Sequence, residues 1–180
     1  MLYSYKDCKQ IYHTDYALRN AVLSGELIKI SRGIYSDNGK EYDLSVVGKT
    51  YPYAVFTMNS AFYYHGLTDT IPKKYYLITD KDSSKIKDSR IVQYFDNSDS
   101  LDLGTEQKEY DGSIIRIFSR ERMLVELVRY KKKLPFDYYK EIISSYRKLL
   151  YQLDIQAVEE YAEKLPKTKL VMETLRMEVF

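Results

Sequence analysis

The sequence contains no tryptophan, one cysteine and two histidines among its 180 residues. Because Cys8 has no second cysteine to pair with, an internal disulfide is excluded, as are zinc and iron–sulfur sites built from several cysteines. No stretch approaches the roughly 20 apolar residues of a membrane helix, and the N-terminal residues lack the apolar core of a signal peptide. We therefore expect a cytoplasmic protein that does not associate with a membrane and carries few catalytic side chains.

Tyrosine is in excess, with 20 residues, in a chain that is 44% hydrophobic and 30% charged. Such a composition can build a core, so disorder of the whole chain is excluded. The formal net charge is only +2, so binding of nucleic acid would depend on a local basic patch rather than on the whole surface.

The first 40 residues predict two helices followed by a hairpin. The predicted elements are a helix over Tyr5–Tyr12, a helix over Thr14–Ser24, a strand over Leu27–Ile30 and a return strand over Ile34–Ser36. Thr14 is a favourable N-cap for the second helix, and Gly25 is a favourable stop. This order of elements is typical of a winged helix-turn-helix, with the turn Ser31-Arg32-Gly33 at the tip of the wing.

The rest of the chain divides into a mixed region and a helical end. Strands are predicted over Tyr53–Thr57, Tyr75–Thr79, Ile91–Phe95 and Ile114–Phe118, with a helix over Asn59–His65 and a polar surface loop over Asp96–Lys108. Four helices are then predicted: one capped by Ser119, one opened by Pro135, one capped by Asp154 and one starting near Thr168. The inner face predicted for the last helix is Leu170, Val171 and Leu175. We expect an α+β protein: an N-terminal winged helix-turn-helix-like module (residues 1–48), then a C-terminal domain (residues 49–180) with a mixed α/β region and a helical C-terminus.

Three blocks, in this order along the chain, resemble a known family. They are Leu18–Tyr35 with its SGELIKI and RGIY segments, Met58–Pro72 with MNSAFYYHGLTD, and Ser119–Arg129 with SRERMLVELVR. Together they resemble the AbiEi antitoxins of type IV toxin–antitoxin (abortive-infection) systems, which act in phage defence.

The resemblance implies a protein that acts by binding. A winged helix-turn-helix would bind operator DNA and repress transcription of the operon, as two copies per operator or as a homodimer. The C-terminal domain would be the antitoxin, counteracting a nucleotidyltransferase-like (AbiEii-like) toxin, directly or through the toxin's target. The resemblance implies no enzymatic activity, so we expect no catalytic residue, no cofactor and no metal.

Family members carry a further helix before the helix-turn-helix, whereas only Met1–Ser4 precedes the first predicted helix here. Either a C-terminal helix substitutes for it, or the module binds DNA weakly.

If the module binds DNA, the second helix enters the major groove and the hairpin contacts phosphates or the minor groove. The candidate DNA-binding residues are Thr14, Tyr16, Arg19 and Asn20 on the helix and Lys29, Ser31 and Arg32 on the hairpin. Arg19 can pair bidentately with guanine, and Asn20 with adenine. The alternative is a solvated helix face beside a structural hairpin.

Three other features have competing interpretations. The basic run Arg129–Lys133 is interpreted as cations at the negative end of a helix dipole rather than as a docking patch. His65 and Cys8 lack the partners of a catalytic pair and are interpreted as a capping or packing residue and an inert thiol.

Two other functions remain as alternatives. One is a winged-helix transcription regulator without a toxin partner, dimerising through its C-terminal domain. The other is a metal-dependent nuclease that uses carboxylates and a nearby lysine to hold Mg²⁺. Its residues would be Asp69, Asp80, Asp82 and the triplet Glu106-Gln107-Lys108. Such a triplet should lie on a buried strand, whereas this one adjoins the most polar stretch of the chain.

Overall fold

The computed structural model describes residues 1–39 and 43–180, and every structural statement refers to these residues. The chain divides into two units, one formed by Met1–Tyr53 with Glu109–Ile115 and the other by Ala54–Lys108 with Arg116–Phe180. The described residues contain both helices and strands, and the last helices follow one another without a strand between them, which confirms the predicted α+β class. Within the described ranges, no helix is long and apolar enough to cross a membrane.

The first unit contains three helices and three strands among its described residues. They are β1 (Leu2–Ser4), α1 (Tyr5–Tyr12), α2 (Asp15–Leu23), β2 (Ile28–Ser31), β3 (Ile34–Ser36) and α3 (Asp43–Thr50). The strands form an antiparallel sheet in the order β1-β3-β2. Both helices predicted here are confirmed, and so is the hairpin, whereas β1 and α3 were not predicted.

Two apolar clusters hold this unit together. One cluster joins α1, α2 and the hairpin through the buried residues Cys8, Leu18, Ala21, Leu27 and Tyr35. The other joins β1, β3 and α3 through Leu2, Ile34 and Val46. The sheet is therefore packed against apolar side chains of α1, α2 and α3, which fixes the hairpin relative to α2.

The second unit begins with a mixed sheet. The elements of this part of the chain are β4 (Val55–Phe56), α4 (Met58–Tyr64), β5 (Tyr75–Asp80), β6 (Ile91–Asp96), α5 (Ser98–Leu101), β7 (Thr105–Tyr110) and β8 (Ser113–Phe118). Of these, β7 and β8 include residues of the segment Glu109–Ile115, which is assigned to the first unit. The strand order is β6-β5-β4-β8-β7, with β4 antiparallel to β5 and parallel to β8. Of the predicted strand Tyr53–Thr57, only Val55–Phe56 pairs.

The predicted surface loop over Asp96–Lys108 was wrong, because α5 and most of β7 lie within it. A buried arginine organises this stretch: Arg122 Nη1 donates to the carbonyl oxygens of Ser100 (2.8 Å) and Leu103 (3.0 Å). The guanidinium also pairs with the buried carboxylate of Glu126 at 2.8 Å (Nη2 to Oε1). This polar stretch is therefore ordered by hydrogen bonds as well as by the burial of Leu101.

Four helices follow, as predicted. They are α6 (Arg120–Arg129), α7 (Phe136–Leu149), α8 (Ile155–Lys164) and α9 (Thr168–Glu178). The predicted N-caps are confirmed, since the Ser119 side chain accepts from Arg122 N and the Asp154 side chain from Ala157 N. The inner face predicted for α9 is only partly right: Val171 and Leu175 are buried, but Leu170 is 47% exposed.

Candidate nucleic-acid interface

The two faces of α2 are set by its core residues. Leu18 and Ala21 point into the apolar cluster of the first unit, so the helical period leaves Tyr16, Arg19 and Asn20 exposed. Tyr16 is widely open to solvent, with 76% of its surface exposed. The seven predicted DNA contacts thus include three helix residues that are accessible to a partner.

Thr14 has a structural role at the start of α2. Its hydroxyl accepts a hydrogen bond from the backbone N–H of Ala17 at 3.1 Å. This satisfies one of the free donors at the helix N-terminus and holds the first turn in place. Thr14 therefore positions the exposed face of α2.

The hairpin places its two predicted cations in the open. Lys29 and Arg32 are exposed, and Gly33 has a φ of +76°, a conformation that favours glycine at this tight turn. Ser31 differs, because its hydroxyl oxygen is buried and has no hydrogen-bond partner among the described residues. Of the predicted contacts, Ser31 is the least suited to meet a phosphate.

One surface cavity brings two of the predicted contacts together. Its volume is about 310 Å³, and it is lined by Tyr5, Asp15, Leu18, Arg19, Val22, Lys29 and Tyr35. Arg19 comes from α2 and Lys29 from β2, so packing within one unit brings them to the same cavity. Thr14, Tyr16, Asn20, Ser31 and Arg32 do not line it.

Asp15 gives the cavity a negative group that is already paired. Its carboxylate accepts from the Tyr5 hydroxyl at 2.5 Å and from Lys9 Nζ at 3.2 Å. The Tyr5 hydrogen bond, then that of Lys9, lowers the pKa of Asp15. The carboxylate is thus held ionised by donors of α1, at the first turn of α2.

Tyr5, Asp15 and Tyr35 were not among the predicted site residues. Tyr5 opens α1 and Tyr35 lies on β3, and both reach the cavity only because α1 and the hairpin pack against α2. No local pattern in the sequence indicates that contact.

The residues considered for catalysis have other roles. His65 is 4% exposed, and its Nε2 lies 2.7 Å from the carbonyl oxygen of Phe118. Cys8 is fully buried, and burial raises the pKa of its thiol. Both were predicted to pack rather than to react, and both are buried.

The nuclease triplet lies on β7, at the edge of the five-stranded sheet, with Glu106 and Gln107 exposed. It is therefore on a strand, but not on a buried one. Among residues 1–39 and 43–180, no group of three or more His, Cys, Asp or Glu side chains is arranged to hold a metal ion.

The basic run at the end of α6 is largely engaged within the second unit. Arg129 Nη1 donates to Glu126 at 2.6 Å, and Lys131 Nζ donates to Glu178 at 2.5 Å. Lys133 lies over the ring of Tyr130, 5.1 Å from its centroid. These contacts favour the structural interpretation of the run.

Comparison with known proteins gives a fold and no family. No protein-family model matches the sequence, and no curated protein matches it. Among solved structures, the chain is similar to the crystal structure of the RV2827C protein from Mycobacterium tuberculosis. The TM-score is 0.63 at 12% sequence identity, over 98% of this chain and 71% of that one. At this identity the likeness shows the shared fold alone.

Proposed function

We propose that this protein is an antitoxin of a type IV toxin–antitoxin system that binds the DNA of its own promoter through residues 1–48. The observation that carries the DNA-binding half is the convergence of Arg19 and Lys29, from two different elements, on one cavity of the first unit. Exposed cations on a helix and on an adjacent hairpin suit a duplex, because the helix can read base edges while the hairpin holds phosphates.

The order of elements supports a winged arrangement of this module. The pair α1–α2 is followed directly by the β2–β3 hairpin, and β1 adds a third strand to it. Val46 of α3 packs against Leu2 and Ile34. We infer that α3 provides the apolar cover that the module needs, in place of a C-terminal helix.

The antitoxin half of the proposal rests on the resemblance to the AbiEi family. Residues 49–180 would counteract a nucleotidyltransferase-like toxin, by direct contact or through its target. Residues 1–48 would repress the operon by occluding its promoter, as two copies per operator or as a homodimer. Neither action needs covalent chemistry, and both would be stoichiometric.

DNA binding is tested by fluorescence anisotropy with a duplex covering the promoter upstream of this gene. The double variant Arg19→Ala/Arg32→Ala should bind at least about thirtyfold more weakly, because two lost contacts at about 1–3 kcal/mol each cost about 2 kcal/mol or more together. The variant Arg176→Ala, which removes an exposed arginine of α9, should bind like the unaltered protein. Equal affinities for the double variant and the unaltered protein would remove the assignment of α2 and the hairpin.

The antitoxin activity is tested by co-expression with a neighbouring gene that encodes a nucleotidyltransferase-like protein. We expect growth arrest when the neighbour is expressed alone and normal growth when this protein is present. The Arg19→Ala/Arg32→Ala variant should still restore growth, because the proposed antitoxin domain is residues 49–180. Arrest that persists in the presence of the unaltered protein would contradict the antitoxin claim and leave the transcription regulator as the better hypothesis.

A further inference from the structure

The cavity of the first unit has the size of a small binding site. Its volume of about 310 Å³ is at the lower end of the range of ligand pockets, roughly 300–1,000 Å³. α1, α2, β2 and β3 all contribute to it. Its apolar wall is Leu18 and Val22 of α2, and the remaining lining residues are polar or charged.

Tyr35 contributes a hydroxyl that the protein leaves without a partner. The residue is only 8% exposed and belongs to the apolar cluster of the unit, yet its hydroxyl has no hydrogen bond within the described residues. By contrast, the hydroxyl of Tyr12 donates to Glu26 at 3.0 Å. The hydroxyl oxygen itself is open to solvent, so it can donate to a ligand that binds in the cavity.

Two cations, Arg19 and Lys29, line the same cavity, and the charge of Arg19 helps to lower the pKa of Asp15. Neither Arg19 nor Lys29 forms a hydrogen bond or an ion pair with another described residue. The only carboxylate in the lining, that of Asp15, is already paired with Lys9 and with the hydroxyl of Tyr5. The cavity therefore presents the guanidinium of Arg19, the ammonium of Lys29 and the hydroxyl of Tyr35. The negative charge of Asp15 is offset by Lys9 of α1.

We propose that this cavity is a phosphate-binding site, in which Arg19, Lys29 and the Tyr35 hydroxyl hold one phosphate group. A guanidinium matches a phosphate bidentately, and an ammonium adds a compact charge. The phosphate has two sources: a phosphodiester of promoter DNA, which rests on the proposed function, or a free phosphate or nucleotide. In the second case the ligand would occupy Arg19 and Lys29 and so compete with DNA.

The first test uses inorganic phosphate alone, titrated into the full-length protein and followed by calorimetry. Binding should weaken about tenfold to a hundredfold in Tyr35→Phe, the loss expected for a hydrogen bond to a charged group. The same variant should unfold at an unchanged temperature without phosphate, because the hydroxyl has no partner to lose. Tyr12→Phe, in the same unit but outside the cavity, should bind phosphate normally.

The second test separates the two sources with promoter duplexes that carry a single neutral methylphosphonate at successive positions. If the phosphate belongs to DNA, a methylphosphonate at one position of the duplex should weaken its binding to the unaltered protein. The same substitution should not weaken binding to Tyr35→Phe, which has already lost the contact. If the phosphate is free, Tyr35→Phe should bind every duplex normally while inorganic phosphate competes with DNA for the unaltered protein.

The outcomes also separate this proposal from the proposed function. Equal binding of inorganic phosphate and of every duplex by Tyr35→Phe and the unaltered protein would overturn the phosphate site, even if the protein binds its promoter. If the protein binds phosphate in a Tyr35-dependent way but does not bind promoter DNA, the result would support the phosphate site and overturn the DNA-binding proposal.

Discussion

His65 illustrates how burial decides the role of a single residue. Its Nε2 lies within hydrogen-bonding distance of the Phe118 carbonyl oxygen, which requires the tautomer that carries the proton on Nε2. The other ring nitrogen, Nδ1, is buried and has no partner among the described residues. Burial lowers the pKa of His65 to about 4, so the imidazole is neutral at pH 7 and serves as a hydrogen-bond donor in the second unit.

The depressed pKa makes stability depend on pH in a definite direction. Between about pH 6.5, the ordinary value, and pH 4 the unfolded chain binds a proton at His65 that the folded chain does not, so stability falls as the pH falls. Between pH 7 and pH 5 we expect a loss of about 2 kcal/mol in the free energy of unfolding, measured by urea titration. In His65→Gln, which keeps a donor for Phe118 but does not titrate, this part of the loss should disappear.

His13 provides the matched control for this measurement. It is exposed, and His13→Gln should retain the pH dependence of the unaltered protein. If His65→Gln shows that same dependence, His65 is not the group that links protonation to unfolding.

Individual buried tyrosines explain part of the tyrosine excess. Tyr139 and Tyr146 of α7 are both buried. Their hydroxyls nevertheless find acceptors, Glu178 Oε2 and the Arg120 carbonyl oxygen, each at 2.8 Å. Such tyrosines bury an aromatic ring and anchor one helix to another through the hydroxyl. Tyr35 has no such acceptor among the described residues, and its hydroxyl is the donor that the proposed phosphate site uses.

Helices and turns that are determined by a few neighbouring residues could be predicted from the sequence. α2 begins after Thr14, α6 after Ser119 and α8 after Asp154, each of which caps its helix. The turn between β7 and β8 is Asp111-Gly112, and both residues have positive φ, the conformation that an Asp-Gly pair favours. Caps and tight turns depend on a few neighbouring residues, so the sequence is sufficient to locate them.

Elements that depend on distant partners were missed. β1 has three residues, too few for a period, and exists as a strand because it pairs with β3. α3 contains Gly48 and two adjacent valines, which are poor helix formers, and its apolar residues are buried by the rest of the unit. β7 lies at a sheet edge with several polar side chains exposed, so it lacks the alternation that reveals a half-buried strand.

The residues of the candidate site also fall into those that could be predicted from the sequence and those that could not. Arg19 and Lys29 were predicted from their places on a helix and a hairpin, and the structure brings both to one cavity. Tyr5, Asp15 and Tyr35 were missed, because their approach depends on how α1 packs. Sequence patterns thus indicated the cations of the site but not the groups that shape it.

For the whole molecule, the small net charge makes the local cations decisive. With a formal charge of only +2, long-range attraction of the whole surface to DNA should be weak. Individual basic residues also differ in whether they are paired. Arg129 and Lys131 of the second unit are paired with carboxylates, whereas Lys29 and Arg32 of the hairpin are exposed.

The salt dependence of promoter binding should therefore report the hairpin cations one by one. Each phosphate contact releases counterions, so Lys29→Gln and Arg32→Gln should each flatten the slope of log K against log salt concentration by about 0.9. Lys49→Gln is the matched control, because Lys49 lies in the same unit but pairs with Asp7 at 3.0 Å; its slope should match that of the unaltered protein. Slopes that stay unchanged in both hairpin variants would mean that other cations hold the phosphates, and the hairpin would then be a structural element of the module and not its wing.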